Sequence, residues 1–122
     1  MAWEIDNTRP IYLQLMERIQ LDIVTGVYKP GDKIPSVREL AMTAAVNPNT
    51  MQKALVELED YGLVYPKRTS GRFITEDETL LTDMRKKMAH EKIRLFIDSM
   101  IQLGFEASEI PQLITDYKKE IT

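Results

Sequence analysis

Two helix-start signals lie close together in the first half of the chain, and their spacing limits the fold more than any other feature. Ser36 and Glu39 have the spacing of a capping box, which predicts a helix over residues 37–44. Asn47 and Pro48 then supply an N-cap and a proline at the first helical position. Helical spacing continues in four apolar residues: Met51, Ala54, Leu55 and Leu58. Two helices joined by a turn of about three residues are typical of a helix-turn-helix.

A further helix is predicted before this pair, over about residues 10–25. Pro10 suits the first turn of that helix and Gly26 suits its end. Its apolar stripe at helical spacing consists of Ile11, Tyr12, Leu15, Met16, Ile19 and Ile23. Residues 29–32 then have the composition of a turn, and residues 33–35 that of a short extended piece.

A β-hairpin is predicted directly after the helix-turn-helix. Residues 63–65 and 72–74 have the composition of strands. Between them, residues 66–71 read Pro-Lys-Arg-Thr-Ser-Gly, which is a basic, polar tip that contains glycine. A β-hairpin that directly follows the second helix of a helix-turn-helix is called a wing. The predicted fold is therefore mainly α with a small β-hairpin: a winged helix-turn-helix domain over residues 1–76.

Residues 77–122 are predicted to form a C-terminal helical arm. The pattern is helical from about 78 to 103, Gly104 closes that helix, and Ser108 is expected to cap a last helix. Two helices of this length cannot bury their apolar stripes alone, so we expect a homodimer. The predicted dimer interface consists of Leu81, Met84, Met88, Ile93, Phe96, Ile97, Met100, Leu103, Ile110, Leu113, Ile114 and Tyr117.

The composition narrows the class of function. The chain has no cysteine, so it forms neither a disulfide nor a cysteine-based zinc site. Its single histidine, His90, gives little scope for a metal site or a catalytic triad, and we find no paired carboxylates or phosphate loop. We therefore expect no enzyme activity, cofactor or metal. No apolar run approaches the roughly 20 residues of a membrane span, and the N-terminus lacks a signal peptide, so we expect a cytoplasmic protein.

The charge is distributed unevenly along the chain. The net charge is −3, yet residues 67–72 contain three basic residues and no acidic one. Residues 38–53 contain two basic residues and one acidic residue, Glu39. Acidic residues concentrate elsewhere, as at 57–60 and 77–78. The position of the charged residues matters more than the net charge for binding a polyanion. We therefore expect a narrow basic surface that binds one.

Four segments in one order resemble the GntR family of bacterial repressors. Residues 10–14, 30–41, 46–50 and 58–64 read PIYLQ, PGDKIPSVRELA, VNPNT and LEDYGLV. The Asn-Pro-Asn-Thr turn and the short tail resemble the YtrA-type branch. The resemblance covers about residues 10–75. It implies a transcriptional repressor that binds a palindromic double-stranded DNA operator as a homodimer, through a recognition helix at about 48–61 and a basic wing at about 66–72.

The chemistry of the residues agrees with DNA recognition. A recognition helix presents its first residues to base edges in the major groove, and the candidates here are Asn47, Asn49, Thr50, Gln52 and Lys53. Ser36 lies at a helix start, where phosphates bind, and the family pattern adds Arg38 as a base or phosphate contact. The candidate contacts of the wing are Lys67, Arg68, Thr69, Ser70, Gly71 and Arg72.

Some interpretations stay open at this point. Many family members carry arginine where this chain has Pro48 and Gln52, so their base preference does not transfer. Ser36 and Asn47 have a purely structural alternative as helix caps. An alternative function is a winged-helix protein-interaction module without specific DNA binding. The sequence identifies no small-molecule effector; any effector is expected to act through the geometry set by the arm.

Overall fold

A computed structural model describes residues 3–68 and 70–122 and divides the chain into two compact units, up to Thr82 and from Asp83 onward. The first unit contains α1 (Ile11–Val24), α2 (Val37–Ala44), α3 (Pro48–Asp60), β1 (Val64–Lys67) and β2 (Gly71–Ile74). Helix α4 (Glu78–Gln102) begins in the first unit and continues into the second, where a 3₁₀ turn (Ala107–Glu109) and α5 (Ile110–Ile121) follow. The predicted mainly helical fold with one hairpin is confirmed.

Helix α3 lies at the centre of the first unit, where it packs against α1, α2 and β1. Its apolar residues at positions i, i+3, i+4 and i+7 are each 0% exposed: Met51, Ala54, Leu55 and Leu58. Leu15 and Ile19 of α1 are also buried, whereas Ile11 is exposed. The α1 stripe predicted from Ile11 therefore enters the core only after the first turn.

Local capping sets where the helices of the helix-turn-helix begin. The backbone N–H of Glu39 donates to Ser36 Oγ at 3.1 Å, and the Ser36 N–H donates to Glu39 Oε1 at 3.2 Å. This is the predicted capping box. Helix α2 ends at Ala45, which adopts a left-handed conformation with φ of 59°. Helix α1 begins at Ile11 with Pro10 in the N-cap position, one residue later than predicted.

The hairpin is longer than the sequence predicts. Strand β1 extends to Lys67 and pairs antiparallel with β2, from Val64 opposite Ile74 to Lys67 opposite Gly71. The tip is therefore confined to residues 68–70, not 66–71. Residues 31–34 line the other edge of β2, where the Ile34 N–H donates to the Arg72 carbonyl at 3.0 Å. Strand β1 is left at the edge, which explains how Pro66, with no N–H, is accommodated within it.

The N-terminal segment contacts α1 through a small polar cluster. The Arg18 guanidinium lies 4.8 Å from the centre of the Trp3 ring, and its Nε donates to the buried carboxylate of Asp22 at 3.2 Å. Burial and the negative charge of Asp22 raise the pKa of the Tyr28 hydroxyl. The indole of Trp3 thus packs over a cation of α1.

The second unit leaves most of its apolar side chains in contact with solvent. Met84 and Ile110 are buried, while Ile93, Phe96, Leu103 and Tyr117 are 42–73% exposed. The prediction that Ser108 caps the last helix is wrong, because Ser108 lies within the 3₁₀ turn. Pro111 has no N–H to donate to such a cap, and the Glu106 N–H donates to Glu109 Oε1 instead, at 3.0 Å. No helix of the described part is long and apolar enough to cross a membrane.

Truncating the buried face of α3 tests the importance of this core. Leu55→Ala should lower the free energy of unfolding by about 2–5 kcal/mol, because it removes a fully buried side chain and leaves a cavity. Val56→Ala, at the neighbouring exposed position, should change it by less than about 0.5 kcal/mol. Urea unfolding of both variants measures the difference. Equal effects at the two positions would contradict the central role of α3.

Candidate nucleic-acid interface

The start of α3 presents polar side chains to solvent. Asn47 Oδ1 accepts from the Asn49 N–H at 2.7 Å, so this oxygen caps the helix. Asn49 and Gln52 are exposed, and Thr50 is half-buried. Because Met51, on the opposite side, is fully buried, the first turn of α3 is fixed with its amide side chains outward. These groups offer donors and acceptors of the kind that pair with adenine and other base edges.

Lys53 of α3 contacts an aromatic ring that the sequence assigned to the apolar stripe of α1. Its Nζ lies 3.9 Å from the centre of the Tyr12 ring, which is a cation–π distance. Lys53 remains exposed and Tyr12 is half-buried. Tyr12 therefore limits where the ammonium of Lys53 can lie. Sequence reasoning missed this contact, since no local pattern links positions 12 and 53.

Ser36 caps the start of α2, and Arg38 lies in the first turn of that helix. Ser36 Oγ already accepts the Glu39 N–H, so the hydroxyl serves as a cap whatever else it contacts. Arg38 is exposed, and its guanidinium forms no ion pair with any of the described residues. Arg38 is thus available to a partner.

The basic side chains of the wing differ in whether they contact other residues of the domain. The Lys67 ammonium lies 4.4 Å from the centre of the Phe73 ring, while Arg68 and Ser70 are exposed. Gly71 adopts a φ of 91°, a left-handed conformation that suits glycine. Thr69, predicted as a DNA contact, lies outside the described residues.

Comparisons with known proteins bear directly on this arrangement. The family described as "Bacterial regulatory proteins, gntR family" matches residues 11–74. The HTH-type transcriptional repressor YtrA of Bacillus subtilis is 34% identical over 116 residues, covering 94% of this chain and 89% of that protein. A GntR family transcriptional regulator from Listeria monocytogenes matches with a TM-score of 0.82 at 38% identity, over 92% of this chain and 98% of that chain.

This chain belongs to the GntR family. It is a DNA-binding transcriptional regulator, and the match to YtrA agrees with the resemblance to the YtrA-type branch. The solved structure of AraR(DBD) in complex with operator ORX1 is also similar, with a TM-score of 0.53 and 29% identity. That match covers 62% of this chain and 99% of the AraR chain.

Arg72 of this GntR-family regulator, predicted as a DNA contact of the wing, forms an ion pair within the domain. Its Nε lies 2.5 Å from Glu59 Oε1 of α3, and the two side chains are only 18% and 23% exposed. The pair joins the wing to the end of α3. The charge of Arg72 is therefore balanced by Glu59, and its contact with DNA stays a prediction.

A double-mutant cycle tests whether the Glu59–Arg72 pair holds the wing. Glu59→Gln and Arg72→Gln should each lower the free energy of unfolding by about 1–3 kcal/mol, because each leaves a shielded charge without its partner. The double variant should lose clearly less than the sum. The matched exposed pair Glu91–Arg94 should show a coupling below about 1 kcal/mol. Additive losses at Glu59 and Arg72 would mean that the pair does not hold the wing.

Proposed function

We propose that this GntR-family protein is a homodimeric repressor that binds a palindromic DNA operator. The observation that carries the proposal is the outward polar surface of the first turn of α3, which lies on a helix whose opposite face is fully buried. In this assignment Asn49 and Gln52 contact base edges in the major groove. Asn47 contributes through its amide nitrogen, since its oxygen is used as a cap.

Arg38 and the wing supply the cationic part of the proposed interface. Arg38 is exposed and acts as a base or phosphate contact, and Arg68 and the backbone at Gly71 approach the sugar–phosphate chain. Lys53 and Lys67 rest on aromatic rings, which restrict their side chains before DNA binds. Wing contacts to phosphates carry no sequence information, so specificity depends on α3 and Arg38. Because its target is chromosomal DNA, the regulator acts in the cytoplasm.

Dimerisation is the second part of the proposal. The exposed apolar side chains of α4 and α5 form more apolar surface than a solvated helix pair should carry. A second copy of the chain would cover them, and a two-fold dimer matches a palindromic operator with half-sites about 34 Å apart or a multiple of it. Met84 and Ile110, both predicted for the interface, are buried already in the single chain and offer a partner little surface.

The DNA-binding part is tested by removing Arg38. An operator is first selected by the protein from a pool of random duplexes. Arg38→Ala should weaken binding to that operator by roughly 1–3 kcal/mol, as expected for loss of a good base contact. Lys87→Ala removes one positive charge from an exposed position on the other face of α4 and should leave the affinity unchanged. An operator affinity unaltered by Arg38→Ala would remove this residue from the interface.

The dimer is tested with Phe96→Asp in the full chain. Phe96 is 42% exposed, and a carboxylate at this position would have to be buried in the proposed interface. Sedimentation should show a dimer for the wild type and a monomer for the variant, with a loss of operator affinity of about 10²–10⁴-fold from lost avidity. Lys87→Asp, two and a half helical turns away and therefore on the opposite face of α4, serves as the control and should remain dimeric. A monomeric wild type would rule out the arm as a dimerisation element.

A further inference from the structure

Residues 31–34 form an added edge to the wing, although the sequence predicts only a turn followed by a short extended piece here. The Gly31 N–H donates to the Ile74 carbonyl at 2.9 Å, and the Ile74 N–H donates to the Asp32 carbonyl at 2.8 Å. Lys33 then pairs with Phe73 in an isolated antiparallel bridge. These contacts fix the backbone of Lys33 beside β2. Lys33, in the connection between α1 and α2, is thereby held at a defined place beside the wing.

The side chain of Lys33 passes over the glycine of the wing. A Cβ atom built on Gly71 would lie 3.3 Å from Lys33 Cε, so the aliphatic stem contacts the wing where it has no side chain of its own. Lys33 is exposed, which leaves its ammonium in solvent beyond the stem. A Cβ atom at position 71 would therefore press on the lysine stem, which would have to shift by a few tenths of an ångström.

Lys33 and Arg38 line one cleft between the start of α2 and the wing. The cleft has a volume of about 490 Å³ and is also lined by Ser36, Ser70 and Gly71. Neither Lys33 nor Arg38 forms an ion pair with any residue in the described ranges 3–68 and 70–122. The third cation of the lining, Arg72, is neutralised by Glu59.

The one acidic residue of the lining, Glu39, does not cancel both free cations. One oxygen of its carboxylate accepts the Ser36 N–H within the capping box. Two unpaired cations against one carboxylate leave the cleft with a local excess of positive charge. A small polyatomic anion with several acceptor oxygens fits this arrangement, since an ammonium binds as a point charge and a guanidinium as a fork.

We infer that Lys33 is a DNA contact, and that a phosphate of the DNA backbone enters this cleft and binds the Lys33 ammonium, beside Arg38. The inference rests on the proposed function and deepens it, since it adds a residue outside both the recognition helix and the wing. Lys33 would fix the position of the DNA strand where it passes from α2 to the wing. As a phosphate contact, it would contribute to affinity for every sequence.

The test measures salt-dependent binding of the full chain to two duplexes, the operator selected by the wild type and a scrambled duplex. Lys33→Gln should weaken binding to both roughly threefold to tenfold at low salt and lower the slope of log affinity against log salt by about 0.9. Lys33→Arg, which keeps the charge, should bind nearly as the wild type does. Lys29→Gln removes the same charge from an exposed position in the same connection, outside the cleft, and should leave the slope unchanged.

The outcomes separate this inference from the proposed function. If the wild type binds DNA and Lys33→Gln keeps its slope, the inference alone is overturned. A loss confined to the operator would make Lys33 a base contact and would also overturn it. A wild type that binds neither duplex would end both proposals. Thermal unfolding of Lys33→Gln should match that of Lys33→Arg, so that any loss of affinity is assigned to charge.

Discussion

Burial of the apolar face of α3 is the interaction on which the rest of the first unit depends. Met51, Ala54, Leu55 and Leu58 all point into a core made with α1, α2 and β1. An α-helix has only one rotation about its axis that buries such a stripe, so this burial also decides which residues face outward. The amides of Asn49 and Gln52 are exposed for that reason. Hydrophobic packing thus orients polar groups that themselves contribute little to stability.

Attachment of the wing to this core uses polar contacts of two kinds. The backbone of residues 31–34 pairs with one edge of β2, and the Glu59–Arg72 ion pair joins the same strand to the end of α3. An isolated two-stranded hairpin is marginally stable in water, so it needs such support. The supports reach along β2 from Ile74 to Arg72, which is next to Gly71 at the tip end of the strand. Arg68 lies beyond the paired residues of β1 and is exposed to solvent.

Features that depend on neighbouring residues could be predicted from the sequence. The capping box at Ser36 and the start of α3 at Pro48 follow from side chains within one helical turn of each other. Contacts between residues distant in the chain could not be predicted. Tyr12 was assigned only to the apolar stripe of α1 and Arg72 only to the wing, because no local pattern reveals Lys53 or Glu59 as their partners. The prediction that Ser108 caps the last helix failed for a different reason. The preference of this serine for a cap was local, but Ser108 lies inside the 3₁₀ turn, and Pro111 removes one of the two N–H groups to which such a cap can bond.

The two units differ in how completely a single chain buries its apolar side chains. In the first, the apolar stripe of α3 is completely covered, whereas Ile93, Leu95 and Ile101 of α4 are each about half exposed or more. Apolar area left in contact with water is unfavourable by roughly 25 cal/mol for each Å². Several such residues together make a substantial unfavourable contribution to the free energy, which packing within the second unit does not remove. A partner would therefore gain apolar contacts on this helix. Because the core of the first unit is buried within a single chain, its polar surface remains available for DNA, and the exposed apolar surface of the second unit is what the proposed dimer would cover.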